Sequence, residues 1–267
     1  MKRIEDHAVH VYGDGEPTMV LGHGIGGNQA HWAPLVEHFS RTHRVVTFAL
    51  AGSFEANPAL FSPVRHASLM GFADDLALLC ADMGIRDAIY VGHSLSGMAG
   101  GLAAAADPGM FSRLVFLNAS ARYIGDDSTG YVGAFSQQQV DQLLLAIAGD
   151  FAAWSYGFAA TAMGNADRPE LASEFARSLA DYDPAVTLTM FRAAFTSDFR
   201  HIVPRITAPT LVLQNQCDPA VPMEAARWLA STLPNGTFGS LSSTGHFPHL
   251  VAPEEVIAAI EDLGLTQ

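Results

Sequence analysis

Cysteine, basic charge and long apolar runs are all scarce in this chain, and each scarcity removes a class of protein. The 267 residues hold two cysteines, Cys80 and Cys217, in no ligand spacing, so neither a disulfide framework nor a thiolate metal site is expected. Fourteen basic residues face 27 acidic ones, a formal charge of -13. Such a field repels phosphate backbones and anionic lipid surfaces, which argues against nucleic acid as a partner. No apolar stretch approaches the roughly 20 residues that cross a bilayer, because Gly, Pro or Asp cuts each one, and the start MKRIEDHAVHVYG lacks the apolar run of a signal peptide. The expectation is a cytoplasmic protein with free thiols, no membrane segment, no metal and no cofactor.

Charged residues make up 15% of the chain and hydrophobic ones 49%, with 24 Gly and 14 Pro, a composition that suits a compact fold with many tight turns. The length fits one large domain or one domain with an insertion. Short β-branched or apolar runs recur at HAVHVYG (7–13), TMVLGH (18–23), RVVTFAL (44–50), AIYVGH (88–93), RLVFLNA (113–119) and PTLVLQN (209–215). Between them lie helical patterns such as Leu69 to Met83, and this alternation predicts a parallel sheet covered on both faces. The first two runs are close enough for an antiparallel hairpin turned at Gly13-Asp14-Gly15. From about Arg122 to Pro204 strand patterns cease and helical spacing takes over, with helix starts expected at Ser136 before Gln139 and at Asp183-Pro184. We expect residues 122–204 to be a helical cap on a core made of 1–121 and 205–267. A helix from Met223 to Leu233, a weak strand from Thr237 to Leu241 and a helix from Pro253 to Leu263 complete the pattern.

In an open α/β sheet, chemistry sits past the carboxyl ends of the strands. Ser94 follows AIYVGH and precedes a helix rich in small residues, the context of a nucleophile elbow. The elbow pattern is G-x-S-x-G, and here Gly92-His93-Ser94-Leu95-Ser96 ends in serine, which adds only a hydroxymethyl group, with Gly97 beside it as slack. The alternative is a serine that merely caps the helix. A serine hydroxyl needs a base and a group to orient that base. His246, in a glycine-flanked loop after the last strand, is favoured over His23, His93, His201 and His249. Asp218, at a strand end before the Pro219-Ala220-Val221-Pro222 turn, is favoured over Asp107, which ends the elbow helix, and over Asp126 and Asp127, which solvent explains. Oxyanion donors are expected at the amides of Leu95 and Ile25. The HGIGG loop lacks the spacing and the Lys-Ser/Thr pair of a nucleotide loop.

With these residues placed, the chain resembles the α/β-hydrolase superfamily, in the branch that contains the bacterial stress-response regulator RsbQ and the plant karrikin and strigolactone receptors. HGIGGNQAHW, ASARYIGDDSTGYVGAF and FRAAFTSDFRHIVPRITAPTLVLQNQCDPAVP carry the likeness, and together with the elbow they span most of the chain. The resemblance implies an α/β-hydrolase fold with four cap helices paired as a V over a deep apolar pocket. It also implies Ile25, Phe135, Trp154, Phe158, Phe175, Phe195 and Ala220 as lining residues. Ile25 stands where the branch usually has phenylalanine, which implies a wider or differently shaped pocket mouth. ALAGSFEAN (49–57) lacks the branch's aspartate and paired glycines, so the path of that loop does not carry over. The activity implied is a serine hydrolase acting on a small, mostly apolar ester or lactone through Ser94, His246 and Asp218. The alternative is a ligand-sensing signalling protein with slow hydrolysis, which would add a protein partner.

Overall fold

A computed structural model of the chain describes residues 2–262. Seven strands form one sheet: β1 (His10–Tyr12), β2 (Met19–Gly22), β3 (Val45–Phe48), β4 (Ala88–His93), β5 (Phe111–Leu117), β6 (Thr210–Cys217) and β7 (Gly236–Thr244). Their order is β1-β3-β2-β4-β5-β6-β7, with every pairing parallel except the one between β1 and β3. β2, β3 and β4 are buried along their whole length, as apolar strands covered on both faces must be. Alternation sorts their side chains. Met19, Leu21, Ile89 and Val91 point to the face covered by α2 (Ala33–Phe39) and α11 (Pro253–Asp262), while Val20 and Tyr90 point to the face covered by α3 (Leu69–Asp82), α4 (Leu95–Ala106) and α9 (Met223–Thr232).

The expected β1–β2 hairpin does not form. β1 pairs antiparallel with β3, His10 opposite Thr47. Residues 13–17 instead lie flat on the turn after α2, where a Cβ at Gly15 would come within 2.0 Å of Thr42 O, and Arg44 N–H donates to Gly15 O at 2.8 Å. The connection therefore crosses the end of α2 and leaves both edges of β2 to its parallel neighbours.

Between β5 and β6 four helices follow in succession: α5 (Gln137–Gly149), α6 (Phe151–Met163), α7 (Pro169–Ala180) and α8 (Pro184–Phe195). Ser136 caps α5 in a reciprocal box with Gln139, and Asp183 caps α8 through the amides of Ala185 and Val186. Asp150, which the sequence pattern passes over, caps α6 and divides a single apolar run into two helices. α1 (Lys2–Asp6) and α10 (Pro248–Val251) are too short to leave a periodic signal. The last helix is described to Asp262, and Leu263 lies outside the described residues. Among the described residues no helix is long and apolar enough to cross a membrane.

Candidate active site

Ser94 is the single residue between β4 and α4. Its backbone has φ 54 and ψ -119, a left-handed conformation that a side chain makes costly. Close packing holds it there: a Cβ at Gly92 would lie 2.6 Å from Gly97 N, and one at Gly97 would lie 2.8 Å from Gly92 O and 2.7 Å from Ala119 Cβ. Gly97 is therefore a tight contact and not slack. Ser96 fits because its hydroxyl donates to His23 O at 2.5 Å, tying the elbow to the loop after β2. Ser94 makes no side-chain cap to its helix, so the capping alternative has no hydrogen bond behind it.

The Ser94 hydroxyl meets His246 Nε2 at 2.9 Å. On the other side of that ring, His246 Nδ1 is 2.8 and 3.0 Å from the two Asp218 oxygens. A proton on Nδ1 leaves the Nε2 lone pair facing the hydroxyl. The Asp218 side chain has no exposed surface, and its carboxylate also accepts from Asn118 Nδ2 at 2.8 Å, Gln214 Nε2 at 3.1 Å and Ala220 N–H at 2.8 Å. The sequence reading missed Asn118 and Gln214. Asn118 stands just past the end of β5, the position from which polar groups reach a strand-end site. His246 N–H donates to Ala162 O of α6 at 2.6 Å, so the backbone of this loop is held from the four-helix segment.

The amides of Leu95 and Ile25 have no intramolecular acceptor among the described residues. Leu95 opens α4, whose positive end favours an anion. Ile25 sits in the loop 23–29, which starts at His23; that ring accepts Leu50 N–H on Nε2 and donates from Nδ1 to Gly24 O. The loop 49–57, whose path the resemblance left open, thus supports His23, and its Glu55 accepts Gln29 N–H at 3.0 Å.

Two adjacent spaces lie near Ser94. The outer one, about 260 Å³, is lined by Phe135, Trp154, Phe158, Phe195 and Ala220 of the expected set, together with Leu143 and Thr161. The inner one, about 20 Å³, is bounded by Ser94, His246, Ile25 and Tyr123. Phe158, Phe195, Ala220 and His246 border both. Phe175 lines neither; it is buried against Phe247, ring centroids 4.4 Å apart, and packs against Gly26. Tyr123 is a further residue the sequence did not single out. Its hydroxyl is 3.4 Å from Ser94 Oγ, its ring stacks on Phe195, and burial raises its pKa so that it stays protonated.

Behind His246 lies a set of buried imidazoles. His93 Nε2 donates to His246 O at 2.7 Å, so His93 supports the backbone of His246. His249 stacks on Trp32 at 4.3 Å and is fully buried. Burial pushes His23 and His31 down to about 4, and His93 and His249 well below the ordinary value, so all four are neutral at physiological pH. His201 lies beyond α8, away from this cluster. At the ends of the four-helix segment, Asp126 is not a solvated carboxylate as expected. It pairs with Arg200 at 2.7 Å, which also pairs with Asp198, and Asp198 pairs with Arg122. Asp107 does end α4, on Arg86.

The α/β-hydrolase fold family model matches residues 17–253. A karrikin insensitive 2 receptor of Petunia hybrida is 38% identical over 253 residues, covering 94% of this chain and 92% of that protein. A strigolactone esterase of Arabidopsis thaliana is 34% identical over 254 residues, covering 95% and 94%. Among solved structures, a hydrolase from Oleispira antarctica superposes with a TM-score of 0.95 at 24% identity over 99% of this chain and 97% of that one. An enol-lactonase from Burkholderia xenovorans superposes at 0.83 with 20% identity, covering 97% and 96%. With its strand order, its elbow and a family match that covers most of its length, this chain belongs to the α/β-hydrolase family.

Proposed function

We propose that the protein is a serine hydrolase for small, mostly apolar esters or lactones, with residues 122–204 as a cap over a core of 1–121 and 205–267. The observation that carries this reading is the continuous hydrogen-bonded line from Ser94 through His246 to Asp218, together with two amides that have no acceptor among the described residues. Ser94 Oγ attacks the substrate carbonyl while its proton passes to His246 Nε2. The oxyanion is received by the amides of Ile25 and Leu95. The tetrahedral adduct collapses, the leaving alkoxide takes the proton from His246, and water activated by the same imidazole releases the acid and restores Ser94. Asp218 holds the ring in the required tautomer. The lining contains aromatic and aliphatic groups and no charged side chain except the His246 ring when protonated, which favours uncharged substrates. Esterases and lactonases among the similar proteins support the same class.

Replacing Ser94 by Ala should abolish turnover of 4-nitrophenyl acetate with the fold intact, and Asp218→Asn should lower kcat by about 10³-fold or more through the wrong tautomer. Turnover by the Ser94→Ala protein at the wild-type rate would end this reading. A second reading, a ligand sensor with slow hydrolysis, is favoured by the receptor-type relatives and by the inner space, which at about 20 Å³ holds about one water. A substrate larger than water then reaches Ser94 only if this space enlarges, and a partner protein could read that movement. Turnover far slower than ligand-induced change in cap fluorescence would favour the sensor; fast turnover with full product release would favour the enzyme.

A further inference from the structure

The loop 23–29 is fastened to the core at both ends. His23 fixes its start through Leu50 N–H and Gly24 O. Gln29 fixes its end: its amide donates to Glu55, its Nε2 donates to Ala8 O, and its Oε1 accepts the Thr47 hydroxyl. The arch between them, Gly24 to Asn28, has one internal backbone bond, Gly27 N–H to Gly24 O at 3.1 Å. Its outward groups are met from α7 and the turn that follows it. The Ser178 hydroxyl donates to Gly26 O at 2.8 Å and accepts from Asn28 Nδ2 at 3.0 Å. The Tyr182 hydroxyl donates to Gly27 O at 2.5 Å. Gly26, at φ +76, lies under Phe175 and Leu179, so that a Cβ there would be 2.9 Å from the Phe175 ring and 3.0 Å from Leu179 Cδ1.

The Ile25 amide lies two and three peptide planes upstream of the carbonyls held by Ser178 and Tyr182. Its own peptide plane carries Gly24 O, which accepts from His23 Nδ1 and from Gly27 N–H; that Gly27 N–H shares a plane with the Gly26 carbonyl held by Ser178, so the direction of the Ile25 amide is tied to where the crown of the arch is held. An oxyanion donor must sit at hydrogen-bond distance before charge develops, and one lost donor lowers kcat by about 10²- to 10³-fold. We infer that Ser178 and Tyr182 are positioning residues for the Ile25 amide, so that acyl transfer runs at full rate only while α7 is seated on this loop. The inference rests on the reading of Ser94 as nucleophile and of Ile25 N–H as oxyanion donor. Tyr182 is suited to the task because burial raises its pKa well above the ordinary value and keeps it a donor. Both residues hold their carbonyls from outside the pocket, since neither borders the space above Ser94, so their loss should spare ground-state binding.

The test uses the full chain with 4-nitrophenyl acetate as substrate and an alkyl trifluoromethyl ketone as inhibitor. The ketone adds Ser94 Oγ to its carbonyl carbon and places the resulting oxyanion between the two amides. In the Ser178→Ala/Tyr182→Phe double variant kcat should fall at least tenfold with KM within twofold of wild type, and the ketone's inhibition constant should rise by a similar factor. Ser178→Thr keeps the hydroxyl and should keep kcat within twofold. Ser173→Ala, whose hydroxyl only bonds Pro169 O within α7, should match wild type. If the double variant does not fold, Tyr182→Phe alone carries the test, with at least a threefold fall in kcat expected. A folded variant with kcat within twofold of wild type, or a loss carried by KM alone, overturns the positioning role while leaving the hydrolase reading standing. A wild-type protein that neither turns over the ester nor binds the ketone overturns the hydrolase reading itself, and the inference with it.

Discussion

Ser96 and Gly97 stand side by side at the start of α4 and answer differently to the crowding there. Ser96 is tolerated because its hydroxyl reaches His23 O; Gly97 is required because Ala119 Cβ and Gly92 O crowd the place its Cβ would take. Ser96→Ala should cost about 1 kcal/mol, the net worth of one hydrogen bond. Gly97→Ala should cost about 1–3 kcal/mol, because the neighbouring carbonyl of Gly92 can yield only by moving a strand. Urea unfolding of the two variants decides this, and equal midpoints would refute it. That Ser94, Asp218 and His246 meet was legible in the sequence, because each stands where a strand run stops and a turn signal begins. Asn118 and Gln214 were harder to read, since an amide that serves a carboxylate looks the same in sequence as one that serves a turn. Tyr123 was illegible for a different reason: its approach to Ser94 depends on how the segment after β5 folds back, which no local pattern encodes.

Strands buried on both faces and helices with side-chain caps were readable because each advertises itself over several residues. Ser136 with Gln139 and Asp183 with Pro184 mark helix starts by chemistry that works locally. The pairing of β1 was not readable, because partner choice was decided by the backbone of a distant turn pressing on Gly13 and Gly15. The charge network at 122–126 and 198–200 was also hidden, since its members lie over seventy positions apart and meet only where the chain enters and leaves the four-helix segment. Arg200→Gln should leave Asp126 and Asp198 to share Arg122 alone, loosening the tie between the two ends of the four-helix segment. Limited proteolysis should then cut faster within 122–204, alongside a lower urea midpoint. Unchanged cleavage and an unchanged midpoint would show the network to be a surface ornament.

For the molecule as a whole, the buried imidazoles make stability depend on pH. His23 and His31 have folded-state values near 4 against an ordinary 6.5, so between those two values the unfolded chain binds more protons than the folded one. Stability therefore rises with pH through that window and is lost as pH falls from 6.5 toward 4, by an amount on the order of 3 kcal/mol for each residue. His93 and His249 add to the same trend. Asp126, held below the usual carboxylate range by Ser128 and then Arg200, and Asp198, held there by Arg200 and then Arg122, begin to matter only below about pH 4. Thermal melting at pH 7.5, 6 and 5 should show a steep decline, and a flat profile would refute the neutral-imidazole assignment. The bond from His246 N–H to Ala162 O has a wider consequence. One element of the four-helix segment steadies the His246 loop while its neighbour steadies the loop 23–29, so the segment is not an interchangeable module. A chimera that borrowed this piece from a relative to gain a new substrate range would also inherit foreign handholds on those two loops, and pocket redesign here has to proceed by point changes on the native segment.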